Sequence, residues 1–170
     1  FLATCKKMNW PLESYLKGDH PLQIEIFRIV SELLEISLSE ITAERDDCGA
    51  PTLFLKLLEM SKLYSLLSSS ENAELEQISR AMITNPIMIS DNNKFDTEII
   101  KASHGQVIGK GGAEGIQCLC KVNEGIGLAL KVEDGSKRAK HAVSLHLLKQ
   151  LEWISDLRIQ DIEEKVFNFS

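Results

Sequence analysis

The sequence predicts an α+β fold, a mainly helical region over 1–105 followed by an antiparallel hairpin and a helix over 106–170. Three observations carry this. Ile24, Phe27, Val30 and Leu34, with Leu33, recur at the spacing of one helix face. Two alternating runs, Ile116 to Val122 and Ile126 to Glu133, meet through Asn123-Glu124-Gly125, a hairpin signal. Ala139, Val143, Leu147 and Leu151 then form a helical stripe. Helices first, strands next and a helix last describe segregated α and β elements rather than alternating ones.

The elements follow in order. Trp10-Pro11 interrupts whatever precedes it. Asp19 is positioned to cap a helix over about 21–36, with Pro21 in its first turn. Residues 41–47 read as a short strand running into the turn Cys48-Gly49-Ala50-Pro51. From Leu53 to Leu67 a leucine-rich stretch reads as a nearly all-buried helix, and Ser68-Ser69-Ser70 as a loop. A helix over 71–84 stops at Asn85-Pro86, because a residue before proline is pushed out of the helical region. Asp91-Asn92-Asn93 is a turn, and Phe95 to Ser103 a short helix closed by His104-Gly105. Gln106 to Gly109 is a strand leading into the glycine-rich segment Lys110-Gly111-Gly112-Ala113-Glu114-Gly115. After the hairpin, Asp134-Gly135 turns into a helix over 136–154, and Ile159, Ile162, Val166, Phe167 and Phe169 supply one more strand.

Composition narrows the function classes. With 19 Lys+Arg against 25 Asp+Glu, the 170-residue chain carries a net charge of −6 and lacks the basic stripe that nucleic-acid binding requires. No apolar run approaches the roughly 20 residues of a membrane span. Four cysteines without a CxxC pair point to a reducing, cytoplasmic setting. Cys118 and Cys120 share one strand face with Ile116, which favours a core role. The apolar opening Phe1-Leu2-Ala3 reads as an edge cut from a larger fold.

Several residues are candidates for chemistry. Lys110 stands at a strand end beside three glycines, where it could hold a carboxylate or help activate a nucleophile; the plain alternative is a solvated lysine on a glycine-rich bend. Cys48, on a constrained turn, is the best metal candidate, although a lone cysteine reads more simply as a buried thiol. His20, His104, His141 and His146 have no metal-ligand spacing and read as caps or surface residues. Asp96-Thr97 reads as a helix start with an acidic first turn. No Ser/His/Asp set can be assembled, so spacing alone yields no chemistry.

A longer pattern does. Phe1-Leu2-Ala3-Thr4-Cys5-Lys6, Asp19-His20-Pro21-Leu22-Gln23, Asp46-Asp47-Cys48-Gly49-Ala50-Pro51-Thr52, Asn85-Pro86, Phe95-Asp96-Thr97, the Lys110 segment, and Gly125 through Gly135 occur in order over roughly residues 1 to 154. This series resembles the L-asparaginase II family of the thermolabile, rhizobial type. The resemblance implies a β-lactamase-like fold, here incomplete, and hydrolysis of L-asparagine to aspartate and ammonia. It implies a serine nucleophile in a Ser-x-x-Lys arrangement N-terminal to this stretch, so that residues 1–170 are the C-terminal part of the enzyme and inactive alone. It makes Cys48 a zinc ligand whose Cys and Lys partners lie outside the chain, and Lys110 a catalytic lysine that assists proton transfer or orients substrate. Asp47 replaces the glycine usual before that cysteine, and Lys94 stands where arginine is common. A homodimer is compatible with the resemblance. The alternative from a different class is a non-catalytic interaction or binding module that reuses the scaffold.

Overall fold

The computed structural model describes residues 1–167. The chain forms two compact units, Phe1–Lys56 and the part from Leu57 onward.

In the first unit, α1 (Leu2–Met8) buries Cys5 and ends at Asn9 in a left-handed conformation. Helix α2 spans Pro21–Leu34. Its cap is His20 rather than the expected Asp19: the Leu22 amide donates to His20 Nδ1 at 3.1 Å. That bond puts the ring proton on Nε2, which donates to the Pro11 carbonyl at 2.9 Å. A short 3-10 helix, Leu38–Glu40, carries a capping box between Ser37 and Glu40. Strands β1 (Thr42–Arg45) and β2 (Pro51–Phe54) then pair antiparallel, with Arg45 opposite Pro51. Strand β2 takes residues that the leucine count had given to the next helix.

The second unit begins with α3 (Leu57–Ser68), which is half-buried rather than nearly all buried; Leu58 is 79% exposed. Its inner face lies on the sheet and its outer leucines face outward, so leucine content overstated burial. Helix α4 (Ala73–Thr84) is capped by Asn72, whose Oδ1 accepts from the Leu75 amide at 2.9 Å. A single turn, α5 (Ile87–Ser90), follows Pro86 and was not foreseen. Helix α6 (Phe95–Ala102) is closed as expected, by Gly105 donating to the Ile100 carbonyl.

Strands β3 (Val107–Gly111), β4 (Ile116–Lys121) and β5 (Ile126–Lys131) form an antiparallel sheet in that order, with β3 at an edge. Lys110 and Gly111 therefore belong to the strand, paired with Cys118 and Gln117, and not to a loop as expected. Hydrogen bonding across this register extends β3 beyond the glycine at 109. One face of the sheet carries Val107, Leu119 and Leu128 into the main core with Phe95, Ile99, Leu145, Leu148, Trp153, Ile159 and Ile162. The opposite face carries Lys110, Cys118, Cys120 and Gly127, and α3 covers it along β4 and β5.

Helix α7 (Lys137–Gln150) departs from its expected stripe. Val143 and Leu151 are each 45% exposed, whereas Lys140, Ser144, Leu145 and Leu148 are buried. Ser144 can be interior because its hydroxyl donates to the Lys140 carbonyl at 2.8 Å. The expected last strand is instead α8 (Asp156–Phe167). Ile159, Ile162 and Val166 are three and four apart, a helical spacing that places all of them at the core. Phe169, also assigned to that strand, lies outside the described residues. Glu98 of α6 joins this helix through Lys165 Nζ at 3.0 Å, with Lys101 at 3.4 Å. Burial raises the carboxyl, but the two lysines outweigh it and hold Glu98 below its usual value.

His141 of α7 is neither a cap nor a surface residue: it stacks on Phe95 with ring centroids 4.1 Å apart and planes within 6°. Burial, reinforced by Lys140, lowers it from 6.5 to about 4. The unfolded chain therefore binds a proton that the folded chain resists, and stability is full above pH 6.5 and lost as pH falls toward 4. Urea midpoints at pH 7 and 4.5 are expected to show this loss, and His141→Phe, which keeps the stack, to remove most of it. An unchanged slope in that variant would sink the assignment.

Candidate functional site

The site is built at the end of edge strand β3. Lys110 is exposed, and its Nζ donates to the Gly111 carbonyl at 2.7 Å. Across the strand pair stands Cys118, buried on the same face. Burial and the Asp96 carboxylate push the Cys118 thiol up to about 11, and burial takes Cys120 to about 12. Both are neutral thiols at physiological pH, consistent with a core role and unsuited to nucleophilic attack. Tyr64 of α3 is likewise raised above its usual value by burial.

Behind Lys110, on the other face of the sheet, lies a polar cluster that sequence reasoning missed. Asp96, in the first turn of α6, is almost fully buried. Its Oδ2 accepts from the Gly111 amide at 2.8 Å, and its Oδ1 accepts from Gln117 Nε2 at 2.8 Å. The helix N-terminus adds a favourable field for this carboxylate. Lys140 of α7, 5% exposed, faces the same spot. Burial lowers its pKa and the Asp96 charge opposes that. Thr97 beside Asp96 donates to the Pro86 carbonyl at 2.9 Å. The acidic first turn was legible, but the target of its carboxylate lies 15 residues on and needs the strand register. The available signal was Gly111 opposite an inward-facing glutamine.

Cys48 lies in the first unit and Lys110 in the second. Cys48 is exposed, which overturns the buried-thiol reading. It sits on the β1–β2 turn, which Asp46 organises by accepting from the amides of Cys48 and Ala50 and from the Thr52 hydroxyl. These bonds, Thr52 first, lower the Asp46 pKa. Gly49 takes a left-handed conformation in that turn, and Asp47 is accommodated on its exposed side. Among the described residues no group of three or more His, Cys, Asp or Glu could hold a metal ion. With both Asp46 oxygens engaged by the turn, Cys48 and the neighbouring Asp47 fall short of the three or four ligands zinc takes, and these residues do not fit a zinc centre by themselves.

One Ser-x-x-Lys spacing escaped the sequence reading: Ser14-Tyr15-Leu16-Lys17. The chain turns there instead of forming a helix, with Ser14 at φ 60° and Lys17 N donating to Ser14 O at 2.8 Å. Both residues are exposed, so the spacing does not build a nucleophile–base pair. Lys94 is the residue at the N-cap of α6 and makes no side-chain cap.

The sequence model of the L-asparaginase II family matches residues 1–168. The chain belongs to the L-asparaginase II family. No curated protein sequence matches it. For this L-asparaginase II chain the α+β class holds, with small antiparallel sheets among eight described α-helices. Among the described residues no helix is long and apolar enough to cross a membrane.

Proposed function

We propose that the chain forms part of a β-lactamase-like amidohydrolase that converts L-asparagine to L-aspartate and ammonia, with Lys110 at its active site. What supports the reading beyond family membership is the placement of Lys110. It projects from the edge strand of the sheet, exposed, on backbone that a buried carboxylate anchors through the next residue. A lysine held there is available to orient the substrate carboxylate or to pass a proton during attack on the side-chain amide. The nucleophile is a serine outside residues 1–170. It attacks the amide carbon, the tetrahedral adduct collapses with release of ammonia, and water then hydrolyses the aspartyl ester. The substrate is a small amino acid, and neither nucleic acid nor membrane enters the reaction. The setting is cytoplasmic, and a homodimer is part of the proposal.

A coupled assay of ammonia release from L-asparagine tests this. The full reading frame is expected to turn over and residues 1–170 alone to be inert. Enzyme-like turnover by residues 1–170 would overturn the placement of the nucleophile. Silence of the full-length protein would overturn the activity and favour the interaction-module reading.

For zinc, the proposal is limited to Cys48 as one ligand completed from outside the chain. Residues 1–170 are then expected to retain far less than one equivalent of zinc, because one thiolate forms only a weak site. Thiol titration should find only Cys48 reactive in the native chain and Cys5, Cys118 and Cys120 reactive after denaturation. Stoichiometric zinc, or a native Cys48 that fails to react, would contradict this assignment.

A further inference from the structure

The polar cluster behind β3 is unfinished in a specific way. Gln117 is 1% exposed, and while its Nε2 donates to Asp96, its Oε1 is buried with no partner among the described residues. A buried acceptor left unpaired costs about 1–3 kcal/mol, so such atoms are rare and call for a donor. A candidate is the ammonium of Lys140. A Cβ placed on Gly111 would lie 2.8 Å from Lys140 Nζ, 3.2 Å from Gln117 Oε1 and 3.4 Å from Asp96 Oδ2. Three polar groups from α6, β4 and α7 thus converge on the one residue whose amide Asp96 already holds, and a side chain there would displace the Lys140 ammonium.

We propose that Lys140 is a positioning residue: with Asp96 and Gln117 it closes a polar clamp around Gly111 that fixes the end of β3 and so the stance of Lys110. The chemistry of the group is matched. The ammonium has three donors and no acceptor, the carboxylate four acceptor sites of which two are used, and the amide oxygen none used. Burial works against the Lys140 ammonium, and the Asp96 carboxylate facing the same spot favours that charge. Lys110 points to the opposite face of the sheet, so beyond the repulsion between the two ammonium groups Lys140 acts on it through the backbone of Gly111.

The clamp stands on geometry alone, while its effect on turnover rests on the asparaginase reading. The test uses the full-length protein with D96N, K140M and the double variant, followed by urea unfolding, by the Gly111 amide resonance, and by asparagine kinetics. Each single variant is expected to lower the folding equilibrium constant about 100-fold or more, since one buried charge loses its partner. The double variant should lose no more than the worse single, whereas additive losses would overturn the clamp. If K140M does not fold, the double variant still should, its neutral pair leaving no lone charge; failure of both would overturn the proposal. In folded K140M the Gly111 resonance should shift while that of Gly125 does not, and an unmoved Gly111 counts against the clamp. Turnover should fall about tenfold in kcat with KM little changed, as expected when geometry needed in the transition state is lost. Unchanged kcat with a shifted Gly111 would overturn the positioning role. An inactive wild type would instead sink the asparaginase reading, and the unfolding and resonance results would still decide the clamp.

Discussion

Gly127→Ala is expected to destabilise the second unit by about 3 kcal/mol or more, the upper end of what overpacking costs. A Cβ at this position would lie 2.1 Å from the Ser61 carbonyl oxygen, 2.4 Å from the Ser65 nitrogen and 2.9 Å from the Tyr64 carbonyl carbon. All three are backbone atoms of α3, so no side chain can turn aside. The helix must lift from β5, and that motion strips the face carrying Cys118 and Cys120 and breaks the bond from Ser65 Oγ to the Gly125 carbonyl. Gly125 provides the internal control. It has φ 65° but open space around it, with only Ser69 Cβ at 3.8 Å. Gly125→Ala should therefore cost only the left-handed backbone penalty, about 1–2 kcal/mol. Urea unfolding of both variants checks the ranking. If Gly127→Ala proved the milder, α3 does not sit on β5 as described.

The same residue shows what the sequence made legible and what it hid. Alternation along Ile126 to Val132 correctly separated Leu128 from Gly127, because a strand's period of two is a local property. That the small-residue face is covered by a helix is not local, and alternation is silent on it. The helices over 21–34 and 73–84 were legible from apolar period and a following proline for the same reason. Errors arose where a polar residue is interior. Lys140 and Ser144 look like a solvent face until the Ser144 hydroxyl is seen to bond within its own helix, so the stripe on α7 was drawn one position off. The last helix was lost to β-branched composition, although its 3, 4 spacing was present. Lys110 and Cys48 were candidates from their local setting, and the ordered family motifs assigned each a role. Asp96 and Gln117 became functional candidates only once register placed Gly111 opposite Gln117.

Lys110→Met in the full-length protein is expected to lower kcat by 10²–10⁴, the range for loss of a general acid or base. Folding should be nearly untouched. Lys110 is exposed and, among the described residues, its side chain hydrogen-bonds only the neighbouring Gly111 carbonyl, so the change in stability should stay within about 0.5 kcal/mol. That separation of activity from stability distinguishes Lys110 from Lys140, whose loss moves both. Lys110→Arg then discriminates the role. Arginine keeps the charge and can bind a substrate carboxylate in bidentate fashion, but it does not give up a proton at accessible pH. If Lys110 anchors substrate, the arginine variant recovers most of the turnover and the methionine variant mainly raises KM. If it moves a proton, arginine fails as badly as methionine and the loss falls on kcat. The strand favours the second outcome. The Asp96–Gly111 bond fixes the backbone beside Lys110, and a fixed origin matters more for a proton transfer over about 3 Å than for a screened charge contact. Retention of kcat within a factor of about two in Lys110→Met, with the fold intact, would remove Lys110 from the active site altogether.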